Sequence, residues 1–249
     1  MITAAPSPGS RLPLRELARS GRLPDHQYMD RATLAWIARR RPAGLGARPT
    51  MPHPPLLLIP EPSWFARPET ADSIHGARHG ARVAVLLQLL AHDRGIAPGR
   101  VRALAAGAAC HDCRRHHDRD DSGHGRRAAD WLTANLAVVA AALGSAPTPE
   151  TVTAVALHDR PHDAFTDDQA RAHRRHRQAV DLLKLADALD RYRLPLARWW
   201  PDAARLRLPV PAWAPALAHD LVVHSEQARL DGATTTQAME HALHAVLPE

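Results

Sequence analysis

Lysine is almost missing from this 249-residue chain: of its 32 basic residues, 31 are Arg and only Lys184 is Lys. With Ala and Pro abundant, that imbalance fits a GC-rich coding bias filling solvated positions with Arg. It weakens the nucleic-acid reading that a net charge of +6 invites. Cysteine is nearly as scarce, with Cys110 and Cys113 alone. Their CxxC spacing lacks the second ligand pair of a zinc ribbon and the strand-then-helix context of a redox motif. They read as small packing residues in a reducing compartment. No run of about 18 apolar residues exists to span a bilayer, and the N-terminus lacks the charged-then-apolar layout of a signal peptide. The expectation is a soluble, cytoplasmic protein with no membrane partner. Alternating strand patterns and internal repeats are also missing, which leaves an all-α chain.

What the sequence has in excess is histidine, 17 residues, many of them between positions 75 and 176. Charge is spread unevenly around them. Residues 1–70 carry 10 Arg against 5 acidic residues, residues 71–196 carry 18 basic against 15, and residues 197–249 carry 4 against 6. The basic excess therefore lies mostly in the N-terminal stretch.

Punctuation by Pro and Gly divides the chain. Residues 1–10 are Pro/Ser/Gly-rich and expected to be disordered. Short helical patterns cover 12–20 and 30–41. The Pro-rich stretch 42–70 excludes a helix, and its apolar Leu56-Leu-Leu-Ile59 and Trp64-Phe65 suggest an extended segment wrapped on the domain. Helices are expected from Asp72 to Gly95, from Val101 into His111, from His124 to Leu143, and from Pro149 to His158. A polar stretch, Arg160–Arg177, leads into a helix over Gln178–Arg193. After a Pro-rich passage with Trp199, Trp200 and Trp213, two amphipathic segments at 215–230 and 233–246 finish the chain. The tryptophans suit packing for these helices, or a lid or stacking surface over a site. The division expected is an N-terminal extension (1–71), a helical metal-binding domain (72–196) and a C-terminal helical extension (197–249).

Three places put ionisable groups where an apolar face should be. His75 and His79 lie four apart, on a face continued by Val83, Leu86 and Leu90. A core or capping histidine would satisfy that position as well as a ligand would. His79 is deeper in the helix and the better ligand; His75 suits contact with substrate or orientation of a ligand. His111–Asp112 ends an Ala/Leu-rich helix, where a carboxylate is expensive unless paired or bound to a cation. Adjacent side chains on a helix diverge by about 100°, but a helix end can unwind enough for both to reach one ion. Asp187 shares a buried stripe with Val180 and Leu183, with Asp190 close to the same face. A salt bridge to one of the many arginines is the ordinary alternative there.

The order and separation of Ile74-His-Gly-Ala-Arg-His-Gly-Ala-Arg-Val83, Ala109-Cys-His-Asp-Cys-Arg-Arg115 and Lys184-Leu-Ala-Asp-Ala-Leu-Asp-Arg191 resemble the HD-domain phosphohydrolase family, over about half of the chain. The resemblance implies a helical bundle in which His79, His111, Asp112 and Asp187 bind a divalent metal. In two-metal members additional His residues bind a second ion bridged by the doublet Asp, and His124 and His158 are similarly ordered. The Gly-Lys often found after the doublet is replaced here by Cys113-Arg114-Arg115. No Gly-Tyr-Pro follows the later His, unlike the cyclic-dinucleotide-degrading branch. Neither departure touches the four core ligands, but both leave the substrate open.

One or two ions of Mn, Fe, Zn, Co or Ni suit such mixed His/carboxylate ligation. The activity expected is hydrolysis of a nucleotide or other phosphate ester by a metal-activated water. Arg78, Arg114 and Arg115, with His116 and His117, stand near enough in sequence to neutralise phosphate, unless that basic run is simply a solvated loop. Asp118, Asp120 and Asp121 suit orientation of the loop or a ligand His. The rival readings are a di-iron oxygenase, and a nucleic-acid-binding or regulatory module whose metal only ties helices together.

Overall fold

The computed structural model describes residues 12–44 and 50–247. The expectation of disorder for residues 1–10 lies outside the described residues. Among these residues there is no strand, and ten α-helices are joined by turns and loops, some of which carry short 3-10 turns. They are α1 (Leu14–Arg19), α2 (Arg31–Ala38), α3 (Ala77–Asp93), α4 (Pro98–Cys110), α5 (His124–Ala134), α6 (Leu136–Leu143), α7 (Pro149–Leu157), α8 (Asp167–Leu189), α9 (Ala214–Leu230) and α10 (Thr235–Val246).

Their starts follow local chemistry. The Asp30 side chain accepts from Thr33 N ahead of α2, and Thr148 with Pro149 opens α7. Capping boxes, Thr166 with Gln169 and Thr234 with Gln237, start α8 and α10.

Helix α3 is the axis of the molecule. Every residue from Ala77 to Ala91 is buried, because α4, α8, α9 and α10 pack around it. A helix buried on all sides is expected to be apolar all round. The polar exceptions on α3, Arg78, His79, Arg82 and Gln88, therefore need specific partners. Arg82, fully buried, donates to Asp190 Oδ1 at 2.7 Å, Glu226 Oε1 at 2.7 Å and Ser225 Oγ at 3.1 Å. Arg78 pairs with Glu226 and with Asp72. This ionic core fastens α9 to α3.

Two glycines set helix spacing beside histidines. A Cβ on Gly80 would lie 2.2 Å from Ala109 O, so α3 and α4 touch backbone to side-chain-free backbone next to His79 and His111. A Cβ on Gly125 would lie 2.7 Å from Val155 O and 2.9 Å from His158 Nδ1, which seats α5 on α7 next to His124 and His158.

The segment after residue 50 wraps onto the bundle. Leu58, Trp64 and Phe65 join the main core, and Leu56 N and O are held by the Gln88 side chain. Trp213 is buried in the same core. Trp200 packs between Trp36 and Tyr192, with ring centroids 5.4 and 5.2 Å away. Helix α2 contributes Leu34, Trp36 and Ile37 to a smaller cluster.

Two expectations are corrected. The stretch Arg160–Arg177 is not a polar lead-in: α8 begins at Asp167 and is bent at His176 (φ −122°, ψ 28°). Its first turns are solvated, so they carry no apolar period. The helix expected from His124 to Leu143 is broken at Asn135 (φ −125°, ψ 25°) into α5 and α6.

Candidate metal centre

The ends of α4, α7 and α8 and the starts of α3 and α5 meet at one largely buried point. His79 Nε2 lies 3.1 Å from His111 Nε2, 3.5 Å from Asp112 Oδ2 and 3.4 Å from Asp187 Oδ1. His111 Nε2 is 3.7 Å from Asp187 Oδ1. On the other side of Asp112, Oδ1 is 3.0 Å from His124 Nε2 and 3.3 Å from His158 Nε2, and these two nitrogens are 3.1 Å apart. The Asp112 carboxylate thus stands between two halves, with Oδ2 facing His79 and Oδ1 facing His124 and His158. His111 and Asp112 both reach the cluster because the chain leaves α4 there in a turn rather than continuing the helix.

The outward nitrogen of each imidazole is already engaged. His79 Nδ1 meets Asp190 Oδ2 at 2.8 Å, His111 Nδ1 meets Ala108 O at 2.6 Å, His124 Nδ1 meets Asp121 O at 2.7 Å, and His158 Nδ1 meets Val155 O at 2.8 Å. A carbonyl or carboxylate oxygen only accepts, so each Nδ1 carries the hydrogen and each Nε2 of the neutral ring presents a lone pair. Lone pairs 3.1 Å apart repel unless a cation lies between them. Ring orientation by an acceptor on the far nitrogen is also how metal-bound histidines are held.

The electrostatics point the same way. Burial works against ionisation of Asp112, but the charges of His111, His124 and Arg115 hold its carboxyl well below the usual range. Asp187 is likewise held well below that range, against burial, by its bond to His111 and by His79 and Arg193. Burial would lower His111, yet Asp112 and Asp187 raise it above its ordinary value. His158 is lowered, mainly by burial. Two persistent carboxylates therefore draw positive charge to a largely buried cluster. A metal ion would satisfy that demand, and the residues present fit one.

A cavity of about 690 Å³ opens over the cluster. Asp112, His124, His158 and Asp187 form its floor, and Arg115, Arg119, Arg191, Arg193 and Arg198 supply positive charge around it. Trp199 and, from the N-terminal segment, Leu23 and Gln27 complete the wall.

The residues expected to handle substrate separate here. His75 lines the cavity, with Nδ1 3.0 Å from Asp112 Oδ2 and 2.9 Å from Arg193 Nη2. It can donate to the carboxylate or accept from the guanidinium but not both, and it forms a ligand-capable group with His79 and Asp112. Burial, then Arg115 and Arg193, push its pKa well below normal. Arg115 also lines the cavity: Nε and Nη2 are tied to the carbonyls of His117 and Arg119, which leaves Nη1 beside His124 at 3.2 Å.

Arg114 and His116 do not reach the site. Arg114 donates to Trp64 O, and His116 is exposed with its backbone N bound by Asp121. Successive residues of a turn point different ways, so only one member of the Arg114-Arg115-His116 run can face the cavity. Arg78 is spent in the ionic core. Asp121 holds His124 through its backbone oxygen and Arg127 through its carboxylate, while Asp118 accepts from Gln27 N and Ser73 Oγ.

Four positions take roles that the sequence did not assign to them. Arg193 is buried, donates to Ile74 O and His75, and faces the cavity. Asp190 orients His79 while paired with Arg82. Asp159 binds Gly123 N and stands 3.7 Å from His124 Nδ1. Lys184 Nζ holds His158 O at 2.9 Å, and burial lowers its pKa to about 8. Only Asp190 and Lys184 had a signal, since both fall in the Lys184–Arg191 segment. The CxxC pair takes no part: both thiols are free and buried, with Cys113 pushed up to about 12 by burial.

The fold and site define an all-helical chain with a buried His/Asp cluster able to hold a metal ion. Compared with protein-family models, curated proteins and solved structures, the chain gives no significant match to any of them.

Proposed function

We propose that this protein is a metal-dependent phosphohydrolase of the HD type, acting on a nucleotide or another phosphate ester. The observation that carries the proposal is the convergence of four imidazole Nε2 atoms on two carboxylates, with every Nδ1 already bound to an acceptor. The order of these residues, His79, then His111–Asp112, then Asp187, is that of the family the sequence resembles. The position of Asp112 between the two halves favours two ions, one with His79, His111 and Asp187 and one with His124 and His158.

Divalent ions bound there would supply Lewis acidity and an activated water near neutral pH. The chain's own contribution is charge and position. Arg115 Nη1 and the Arg193 guanidinium face the cavity next to the cluster, where they neutralise phosphate oxygens and orient phosphorus. Asp190, Ala108 O, Asp121 O and Val155 O keep the imidazoles from turning. The more distant Arg119, Arg191 and Arg198 suit further phosphates or a sugar-phosphate, and Trp199 offers a flat apolar face to a base or sugar.

The test is metal analysis of the purified protein, then a phosphatase and phosphodiesterase screen with Mn²⁺, Co²⁺ and Ni²⁺. Wild type and Asp112→Ala are compared throughout. Loss of both metal and hydrolysis in Asp112→Ala is expected; retention of both sinks the proposal. The same six ligands also suit a di-iron oxygenase. Iron in the purified protein, with oxygen consumption and no phosphate release, would select that reading instead.

A further inference from the structure

A second cluster lies outside this centre and has no part in the hydrolysis proposed for it. His162 sits in a 3-10 turn after α7 (His162–Ala164), while His173 and Asp181 lie on α8 either side of its bend. His162 Nε2 is 3.0 Å and His173 Nε2 2.9 Å from the same oxygen, Asp181 Oδ1. The Asp181 side chain is 1 % exposed, and its other oxygen, Oδ2, is buried with no hydrogen-bond partner. Phe165 packs on both imidazoles, with ring centroids 5.3 and 5.5 Å away.

We propose that His162, His173 and Asp181 form a separate divalent-metal site, best suited to zinc, that clips the turn after α7 to α8 on both sides of its bend. Three observations carry it. Two imidazoles and one carboxylate are a zinc ligand set, and tetrahedral bonds of about 2.0–2.2 Å place ligand atoms roughly 3.3 Å apart. The two histidine-to-carboxylate separations need to open by only a few tenths of an ångström, and all three ligand atoms lie within 4.8 Å of one another.

Secondly, a purely hydrogen-bonded arrangement would put both imidazole donors on one oxygen and leave the other, though buried, with no hydrogen bond and only an ion pair to an exposed arginine, which is costly. Arg177 is the nearest cation to Oδ2, at 3.5 Å, and is itself 68 % exposed.

Thirdly, the bend at His176 has no local cause, since the residues from His173 to Asp181 include no Pro, Gly or Ser. A straight helix would place His173 and Asp181 about 12 Å apart along its axis. Drawing their side chains onto one ion is a tertiary reason for the bend.

The site stands apart from the main centre: Asp181 and Asp187 are separated by roughly 9 Å of helical rise. It also differs in affinity. Among the described residues, none accepts a hydrogen bond from Nδ1 of His162 or His173, so nothing holds these rings in the tautomer that leaves Nε2 free for metal, as acceptors do in the main cluster. Missing support of that kind lowers metal affinity by about 10- to 100-fold. Zinc is therefore released from this site first.

The experiment is zinc stoichiometry of the full chain after saturation and removal of excess metal, for wild type, His162→Gln and Asp187→Asn. His162→Gln is expected to hold one equivalent fewer than wild type, and Asp187→Asn to keep that equivalent. Equal zinc content in wild type and His162→Gln overturns the proposal. As a check that needs no variant, diethylpyrocarbonate labelling of wild type is read by peptide mass spectrometry. Zinc is expected to protect the peptide carrying His162 and mild chelation to expose it. Labelling of His162 that zinc leaves unchanged overturns the proposal equally.

Discussion

Replacing Asp190 by Asn removes one charge from the most enclosed ionic cluster of the protein while keeping the side chain's shape. Asp190 is fully buried and accepts from Arg82 Nε at 2.7 Å, Arg82 Nη2 at 3.1 Å and His79 Nδ1 at 2.8 Å. Its carboxyl is ionised against burial because Arg82 and His79 stabilise the charge. In Asp190→Asn, Arg82 keeps Glu226 but loses its bidentate partner. Stranding a buried charge costs about 3–5 kcal/mol, and the surviving Glu226 contact puts the loss near the lower end, about 3 kcal/mol. The second effect is on metal. His79 then donates to a neutral amide oxygen at best, and removal of such an outer partner weakens metal binding by about 10- to 100-fold, or roughly 1.4–2.7 kcal/mol. Guanidinium unfolding in chelator reads the first effect, and competition against a chromophoric chelator reads the second. A variant destabilised as expected but with wild-type metal affinity would refute the orienting role. Unchanged stability would refute the ionic-core argument beneath it.

Four further outcomes follow from the same contacts. Metal at 100 times its dissociation constant adds about 2.7 kcal/mol of stability, which raises Tm by roughly 5–10 °C in a domain of this size; coincident melts with and without chelator would exclude a native-state metal site. If hydrolysis is found, Arg115→Ala should lower kcat/KM about 100-fold or more, as loss of a charge-stabilising donor does. Arg114→Ala and His116→Ala should stay within a few-fold of wild type, because both point away from the cavity. Gly80→Ala forces a Cβ against Ala109 O and should cost about 1–3 kcal/mol while separating His79 from His111, seen as reduced metal content alongside a lower Tm.

The last concerns acid. Burial opposes ionisation of Glu226, but Arg78 and Arg82 outweigh it and depress its pKa below 4.5. A depressed carboxylate lends stability above its unfolded pKa and loses it as pH falls towards the folded value. Glu226→Gln should therefore be less stable than wild type near neutrality, with the gap closing below about pH 4.5. A gap independent of pH in acid titration would contradict this.

Much of the architecture could be read along the chain because its signals are local. Pro149 opens α7, Gly95 and Gly144 follow the ends of α3 and α6, and Val83, Leu86, Leu87 and Leu90 mark the face of α3 by period alone. Ionisable residues on apolar stripes, His79, Asp112 and Asp187, stood out for the same reason: burying charge is expensive enough to require an explanation. The first turns of α8 escaped because a solvated helix carries no apolar period, though the Thr166–Gln169 box was present.

What local signals could not settle was direction and distance. Arg114, Arg115 and His116 are equivalent as a sequence run, and only packing decides that Arg115 turns into the cavity. Arg78 is equally basic on paper, yet Glu226 from α9, far along the chain, claims it. Whether His124 and His158 join Asp112 depended on Gly125 letting α5 and α7 close to contact. The sequence by itself determined which residues needed partners, because burial and period act within a helix. The tertiary structure alone decided which partners they received, because those come from helices the chain order does not place side by side.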